Sequence, residues 1–349
     1  MMNKIKTGLA SYGMSGQIFH APFISTNPHF ELTAILERSK NLSHERYPNA
    51  EVVRSIDELL SIDELELIVI NTPDHTHYDY ALRALEAGKN VIVEKPFTLS
   101  TVDGQRLIEK ARSLQLMLCV YQNRRYDGDF LTVKKIIEEK SIGRIVEFES
   151  TFPRFRNFVR KDTWKEESRG LTFDIGPHLI DQSVTLFGMP DTIFADIATL
   201  RKGGKIDDYF IIHPMNCSKA PEVHITLKSS YLMCDEEPRF VIHGTNGSYI
   251  KYGLDPQESL LKTGVMPTSP HWGIEDSASW GLLTTDNKEG KRQQKYPTYQ
   301  GSYTAFYDSV YRHLRLGKPI DTTAENILPV ISIIEAAIES SKTKQIISL

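Results

Sequence analysis

The 349-residue chain has room for two hydrophobic cores, because single domains typically run ~100 to 200 residues. Its 41 lysines and arginines against 45 aspartates and glutamates leave a formal charge of −4, which excludes the basic footprint of a nucleic-acid binder. The 3 cysteines, Cys119, Cys217 and Cys234, are too scattered for a metal clip or a disulfide framework, and the longest apolar run, Ile327 to Ile334, is too short and too interrupted for a membrane span. With no apolar leader after Lys4 and Lys6, a reducing cytoplasm is the expected compartment.

Short apolar runs at Ile5 to Ala10, Phe30 to Leu36, Glu51 to Val53, Leu67 to Asn71, Asn90 to Glu94 and Leu116 to Tyr121 alternate with helical patterns. The clearest helix covers Thr76 to Ala87, where Tyr80, Leu82, Ala84 and Leu85 form an apolar face before Gly88. Alternation of this kind predicts a parallel sheet, and the uninterrupted apolar stretch from Leu67 to Ile70 suits a strand covered on both faces. After about Asn123 the pattern changes. A helix from Asp129 to Glu139 precedes strand-like runs at Ile145 to Phe155, Ile193 to Leu200, Val223 to Lys228, Phe240 to His243 and Ser248 to Tyr252. Residues 264 to 300 read as loop or irregular flap, and helices from Ser302 to Leu316 and Ala324 to Ser341 close the chain. The expectation is an α/β domain with a doubly wound parallel sheet over residues 1–122. An α+β domain with a large, predominantly antiparallel open sheet should then fill residues 123–349. The open face of that second sheet needs cover, so self-association through it is expected.

The first strand runs into Ser11-Tyr12-Gly13-Met14-Ser15-Gly16, a G-x-G-x-x-G pattern with serine at its first position. Backbone amides can face a pyrophosphate there where no Cβ intrudes, and the following helix points its positive end at the phosphates. The motif alone also describes an ordinary strand-to-helix turn. Glu37 adds weight: it follows Gly16 by about 20 residues, at the end of the second strand, where an acid can accept from an adenosine ribose. Arg38, Ser39 and Lys40 come next, and a guanidinium and hydroxyl there can hold a ribose 2′-phosphate, which tilts the cofactor toward NADP(H) with NAD(H) as the alternative. The same residues also make a solvated turn.

Asp174 and His178 stand one helical turn apart, and Pro177 suits the first turn of a helix carrying Leu179, Val184, Leu186 and Phe187. An imidazole at a helix start is favoured neutral and able to accept a proton, with Asp174 orienting it or holding a substrate hydroxyl. Taken alone, such a pair equally reads as a cap and a buried structural histidine. His75 and His77 share one side of an extended segment without a third ligand, so no metal is expected and a loop touching the cofactor is the better reading. His20 is open between packing and pocket. Phe152, Arg154 and Arg156 alternate on a strand and line either a pocket or a charged surface.

Together with Asn71-Thr72-Pro73, Ala87-Gly88-Lys89 and Glu94-Lys95-Pro96, the glycine-rich turn resembles that of the Gfo/Idh/MocA oxidoreductases. Asp174-Ile175-Gly176-Pro177-His178 is similar to that family's D-x-G-x-H element, and Tyr121-Gln122-Asn123-Arg124-Arg125-Tyr126-Asp127 to the segment after its sixth strand. Asp207-Asp208-Tyr209-Phe210, His243-Gly244-Thr245 and the run from Lys251 to Glu258 are similar to the NADP-preferring scyllo-inositol dehydrogenases within it. The resemblance implies a Rossmann domain that binds the cofactor through residues 11–16, Glu37 to Ser39, Asn71 to Pro73, His77, Glu94, Lys95 and Asn123. It implies further that Lys95 hydrogen-bonds the reacting oxygen and the nicotinamide ribose, and that Trp164 joins Lys95, Asp174 and His178 around a polyol or sugar, with Arg156 a further candidate from its place on the strand.

An oxidoreductase acting on a CH–OH group is the reading that uses all these residues. A hydrolase of the same family with tightly held NAD would instead cleave glycosides without net redox change. A non-catalytic dinucleotide sensor would lack a proton-transfer group, and the presence of both Lys95 and His178 argues against it.

Overall fold

The computed structural model describes residues 3–161, 166–287 and 290–349. It divides into two compact units, one formed by 1–126, 256–272 and 302–328, the other by 127–255, 273–301 and 329–349. The chain, expected to change character once, near residue 122, returns to the first unit twice.

In the first unit, β1 (Ile5–Leu9), β2 (Phe30–Leu36), β3 (Glu51–Val53), β4 (Leu67–Ile70), β5 (Asn90–Val93) and β6 (Leu118–Val120) form a 6-stranded sheet in the order β3-β2-β1-β4-β5-β6. Every pairing is parallel, and the order reverses at β1, the topology of a doubly wound dinucleotide fold. Its crossovers carry α1 (Ala21–Thr26), α2 (Leu42–Arg46), α3 (Ile56–Leu60), α4 (His77–Glu86) and α5 (Thr101–Leu114). Local sequence sets their ends. Ser55 and Ser100 accept the amides of Glu58 and Asp103 as N-caps, and Gly88, at a positive φ of 74°, turns the chain out of α4.

The second unit begins with α6 (Gly128–Glu138) and β7 (Ile145–Pro153), then α7 (Leu171–Asp174), α8 (Gly176–Phe187), β8 (Thr192–Ala198), β9 (Tyr209–Met215), β10 (His224–Ser230), β11 (Phe240–Gly244) and β12 (Gly247–Lys251). After α9 (Gln257–Lys262), which belongs to the first unit, come β13 (Gly281–Asn287) and β14 (Gly290–Tyr296). The chain ends with α10 (Thr304–Leu316), α11 (Ala324–Thr343) and β15 (Ile347–Ser348). The 9-stranded sheet runs β14-β13-β12-β11-β7-β10-β9-β8-β15; among the described residues only β7 and β10 pair in parallel. This is the expected large, mostly antiparallel sheet.

The stretch 264–300, expected as loop or flap, instead contributes the β13–β14 hairpin. β14 reads Gly-Lys-Arg-Gln-Gln-Lys-Tyr and is almost wholly exposed, so no apolar alternation marks it; its strand form comes from a ladder with β13, register Gly281↔Tyr296 to Asn287↔Gly290. β9 also escaped the periodicity reading. Polar and charged side chains along an edge are how sheets discourage further pairing. At the other end of the sheet, beyond the residues that β15 pairs, Ser340 and Ser341 of α11 accept the amides of Ala195 and Ile197 on β8.

The first unit's core joins sheet residues to the late-arriving helices. Phe23 and Tyr307 stack at 6.2 Å, Phe30 meets the edge of Tyr307 at 5.6 Å, and Tyr121 meets Phe306 at 4.8 Å. In the second unit the fully buried Arg239 lies over Phe240 at 4.1 Å and donates to Ser150 on β7 and to Gln182 on α8. That contact fixes α8 on the sheet.

Candidate active site

The glycine-rich turn is built as its residue types demand. Ser11 Oγ accepts the Gly13 amide at 3.2 Å, so serine supplies by a side-chain bond the tight turn usually made by glycine. A Cβ on Gly16 would meet Ser11 O at 2.2 Å, so the chain's own backbone requires glycine there. At Gly13 the nearest atom to such a Cβ is Ser11 Oγ at 3.5 Å, an ordinary contact. Among the described residues nothing crowds a Cβ at 13, so the space beside its Cα is open to a ligand's approach. Tyr12 is buried and meets Tyr47 edge-on at 6.2 Å; Met14 is exposed. Residues 14–26 are helical, with a π-helical turn at Gly16–His20.

Asn71, after β4, donates through Nδ2 to Ser11 O at 2.8 Å, and its buried Oδ1 has no hydrogen-bond partner among the described residues. Thr72 Oγ1 bonds Thr76 Oγ1 at 2.6 Å, and Pro73 precedes the short helical turn into α4. His77, expected to touch the cofactor, is buried; Nδ1 lies 2.7 Å from Pro96 O and Nε2 3.0 Å from Thr72 O. It sits between the loops after β4 and β5, and its neutral ring donates to one of these two carbonyls. Burial pushes its pKa down against the pull of those two carbonyls. Exposed His75 stands 3.7 Å from Asp74, and among the described residues no group of ligating side chains could hold a metal.

Glu94 is the hub of the site. Its Oε1 accepts from Ser15 Oγ at 2.6 Å and faces His20 Nε2 at 3.0 Å, while Oε2 accepts the Lys95 amide at 3.0 Å. Burial alone would raise its pKa, but His20, Ser15 and Lys95 together hold it at about 2. Lys95 is half-buried at the carboxyl edge of β5, and Asn123 is buried in the turn after β6.

Glu37 departs from expectation. Its carboxylate turns inward, accepting Ser43 N at 2.8 Å, Ser43 Oγ at 2.5 Å and Leu42 N at 3.1 Å, and so caps α2. Arg38, Ser39 and Lys40 are exposed. Arg54, which sequence reasoning missed, secures their backbone by donating to Glu37 O at 2.7 Å and Lys40 O at 2.6 Å.

In the second unit, α7 and α8 present Asp174 and His178, with Pro177 in the first turn of α8 as expected. Asp207, ahead of β9, starts α7: its Oδ2 accepts Thr172 N and Thr172 Oγ, each at 2.7 Å, and its carbonyl accepts Leu171 N at 2.9 Å. Gly170 allows this approach, for a Cβ there would meet Asp207 Oδ1 at 2.1 Å. Arg156 lies over Tyr231 at 4.8 Å, and Arg201 lies over the same ring at 4.7 Å. Arg201 is neutralised by buried contacts with Glu166 and Asp208. Asp174 is near enough to Tyr231 to oppose ionisation of its hydroxyl, which burial already disfavours. Phe152 is fully buried core beneath Arg154 and lines no surface. Trp164 lies outside the described residues.

A sheet reversing at β1, a glycine turn open at Gly13 and a lysine at the carboxyl end of β5 define a dinucleotide-binding oxidoreductase. Residues 5–122 match the family model "Oxidoreductase family, NAD-binding Rossmann fold" and residues 134–349 the model "Oxidoreductase family, C-terminal alpha/beta domain". The chain belongs to the Gfo/Idh/MocA family. It is 35% identical over 351 residues to scyllo-inositol 2-dehydrogenase (NADP(+)) IolW of Bacillus subtilis, covering 100% of this chain and 97% of that one. It is also 40% identical over 369 residues to an uncharacterised oxidoreductase of Schizosaccharomyces pombe, covering 100% of both. A solved Bacteroides fragilis protein, provisionally classed as an oxidoreductase, superposes with a TM-score of 0.93 at 57% identity, covering 99% of this chain and 100% of that one. No helix among the described residues is long and apolar enough to cross a membrane.

Proposed function

We propose that this protein is a dehydrogenase, or in reverse a ketone reductase, that moves hydride between NADP(H), with NAD(H) the weaker alternative, and a secondary hydroxyl of an inositol or sugar. The observation that carries the reading is the hydrogen-bonded unit centred on Glu94, whose carboxylate accepts both from Ser15 in the glycine-rich turn and from the amide of Lys95. It ties the residue that would flank the pyrophosphate to the residue that would meet the reacting oxygen. The open approach at Gly13 and the orphaned Asn71 Oδ1 beside the turn fit a dinucleotide.

A bound nicotinamide supplies or accepts the hydride. Lys95 donates a hydrogen bond to the reacting oxygen, and His178 takes the hydroxyl proton on oxidation and returns it on reduction. Asp174 orients His178 or holds a neighbouring hydroxyl, and Arg156, stacked on Tyr231, offers guanidinium donors to another. Support for NADP comes from Glu37, which is spent on capping α2, and from Arg38 and Ser39, exposed on a loop that Arg54 secures. The name of the Bacillus subtilis relative, a scyllo-inositol 2-dehydrogenase (NADP(+)), points the same way. A panel of inositols and aldoses, assayed by nicotinamide absorbance with each cofactor, tests the reading. Cofactor reduction by one of them with NADP ahead of NAD is expected; glycoside cleavage without net reduction would replace it with the hydrolase.

A further inference from the structure

The mechanism above leaves unused a buried polar chain within the first unit. Tyr307 of α10 is fully buried, and its hydroxyl lies 2.7 Å from His20 Nδ1; His20, also fully buried, faces Glu94 Oε1 through Nε2. For the neutral imidazole the proton inventory gives the direction of each bond. A carboxylate only accepts, so Nε2 carries the hydrogen that reaches Glu94. The Tyr307 hydroxyl has no other hydrogen-bond partner among the described residues, so its proton goes to Nδ1. Tyr307 therefore donates to His20 and His20 donates to Glu94. With that tautomer every group in the chain is satisfied; with the other, two lone pairs face each other across 3.0 Å.

Glu94 needs such a hold. It has two further donors, Ser15 Oγ and the Lys95 amide, on different oxygens, and both bonds survive only in one rotation of the carboxylate. His20 is the member of this set that sequence reasoning left open between packing and pocket. We propose that His20 and Tyr307 are positioning residues that lock Glu94 in the one orientation that holds Ser15 and Lys95 together, so that a buried tyrosine on α10 sets the strength of dinucleotide binding at the turn. The inference rests on the dinucleotide reading of that turn.

The charged and titratable groups facing Glu94 are His20, Lys95, His77 and Tyr307. With His20 in place the carboxyl stays ionised far into acid; without it, the strongest of the effects that oppose burial is lost and protonation moves to higher pH. A protonated Glu94 has one acceptor fewer and releases Ser15 or Lys95.

The test is direct titration with NADPH, read by its fluorescence, on the full chain carrying His20→Ala, His20→Gln or Tyr307→Phe, each checked by thermal melting. His20→Ala should weaken NADPH by about tenfold or more, the loss expected of a hydrogen bond to a charged group, and should weaken it further as pH falls from about 7 to 5, where the unaltered chain stays level. His20→Gln, which keeps an N–H donor at similar reach, should recover most of the affinity and the level profile. Tyr307→Phe removes one oxygen without opening a cavity, carries the test if His20→Ala does not fold, and should weaken NADPH at least about threefold with the same acid decline. Unchanged affinity and pH profile in folded His20→Ala or Tyr307→Phe overturn the positioning role, as does His20→Gln behaving like His20→Ala. An unaltered chain that binds neither NADPH nor NADH overturns the dinucleotide reading itself, and the positioning role with it.

Discussion

The contrast between Gly13 and Gly16 separates a glycine with room for a side chain from one that the chain's own backbone requires. Gly13→Ala should leave the melting temperature close to that of the unaltered protein yet weaken NADPH severalfold, whereas Gly16→Ala should lower both, because its Cβ would meet Ser11 O at 2.2 Å. Titration and thermal melting of the two variants check this. At the adenosine end, Arg38→Ala should weaken NADP by roughly tenfold or more and spare NAD, since a charge-assisted contact contributes on the order of 1.5 to 3 kcal/mol. Equal losses for both cofactors would move 2′-phosphate recognition elsewhere. At the reacting end, Lys95→Ala and His178→Ala should each lower kcat by at least about 100-fold, and the double variant should be only slightly worse than either, as groups acting as one unit show. The glycines, the lysine and the D-x-G-x-H element were legible because each is a residue type at a fixed place on a strand end or helix start. Glu37 was not. Its position was read correctly, but the amides of Leu42 and Ser43, which claimed the carboxylate, carry no sequence signal.

Elements were most legible where burial imposes a period and least where a neighbour imposes the conformation. β2 and β3 match their sequence-derived limits, and β4 and β5 differ by one residue at one end. β14, nearly all polar and exposed, owes its form to its partner strand and could not be found by periodicity. The start of α7 belongs to the same class, because its cap, Asp207, comes from a segment remote in sequence. Gly170 makes that cap possible with an ordinary extended backbone, so alanine there is excluded by crowding alone. Gly170→Ala should cost about 1 to 3 kcal/mol of unfolding free energy, as overpacking does, and should depress kcat by displacing the helix that leads to Asp174. A denaturant midpoint equal to that of the unaltered protein would show that the segment around Asp207 yields without cost.

Across the whole molecule, the two sheets followed from the switch between alternating and successive strands, while the discontinuity of the units did not, since a helical pattern such as α10 carries no mark of which sheet it will cover. The 9-stranded sheet carries half-buried Ile211, His213 and Met215 along β9, and Phe194 on β8 stacks on His213 at 6.4 Å while still 38% exposed. We expect copies of the chain to associate over this mixed apolar face. Light scattering at micromolar concentration should give a mass that is a multiple of the 39.7 kDa chain, and Phe194→Lys should reduce it.

That the first unit is completed by residues 302–328 has a consequence for synthesis. A ribosome making about 5 to 20 residues per second needs roughly 10 to 40 s to travel from Tyr126 to the end of α10. Throughout that interval the faces of Phe23, Phe30 and Tyr121 that later meet Phe306 and Tyr307 have no cover, and neither does His20 have its tyrosine. The dinucleotide turn is thus among the first parts of the chain to be made and among the last to be finished, and a message truncated before residue 302 yields a product with an open aromatic core that a cell's chaperones and proteases would recognise.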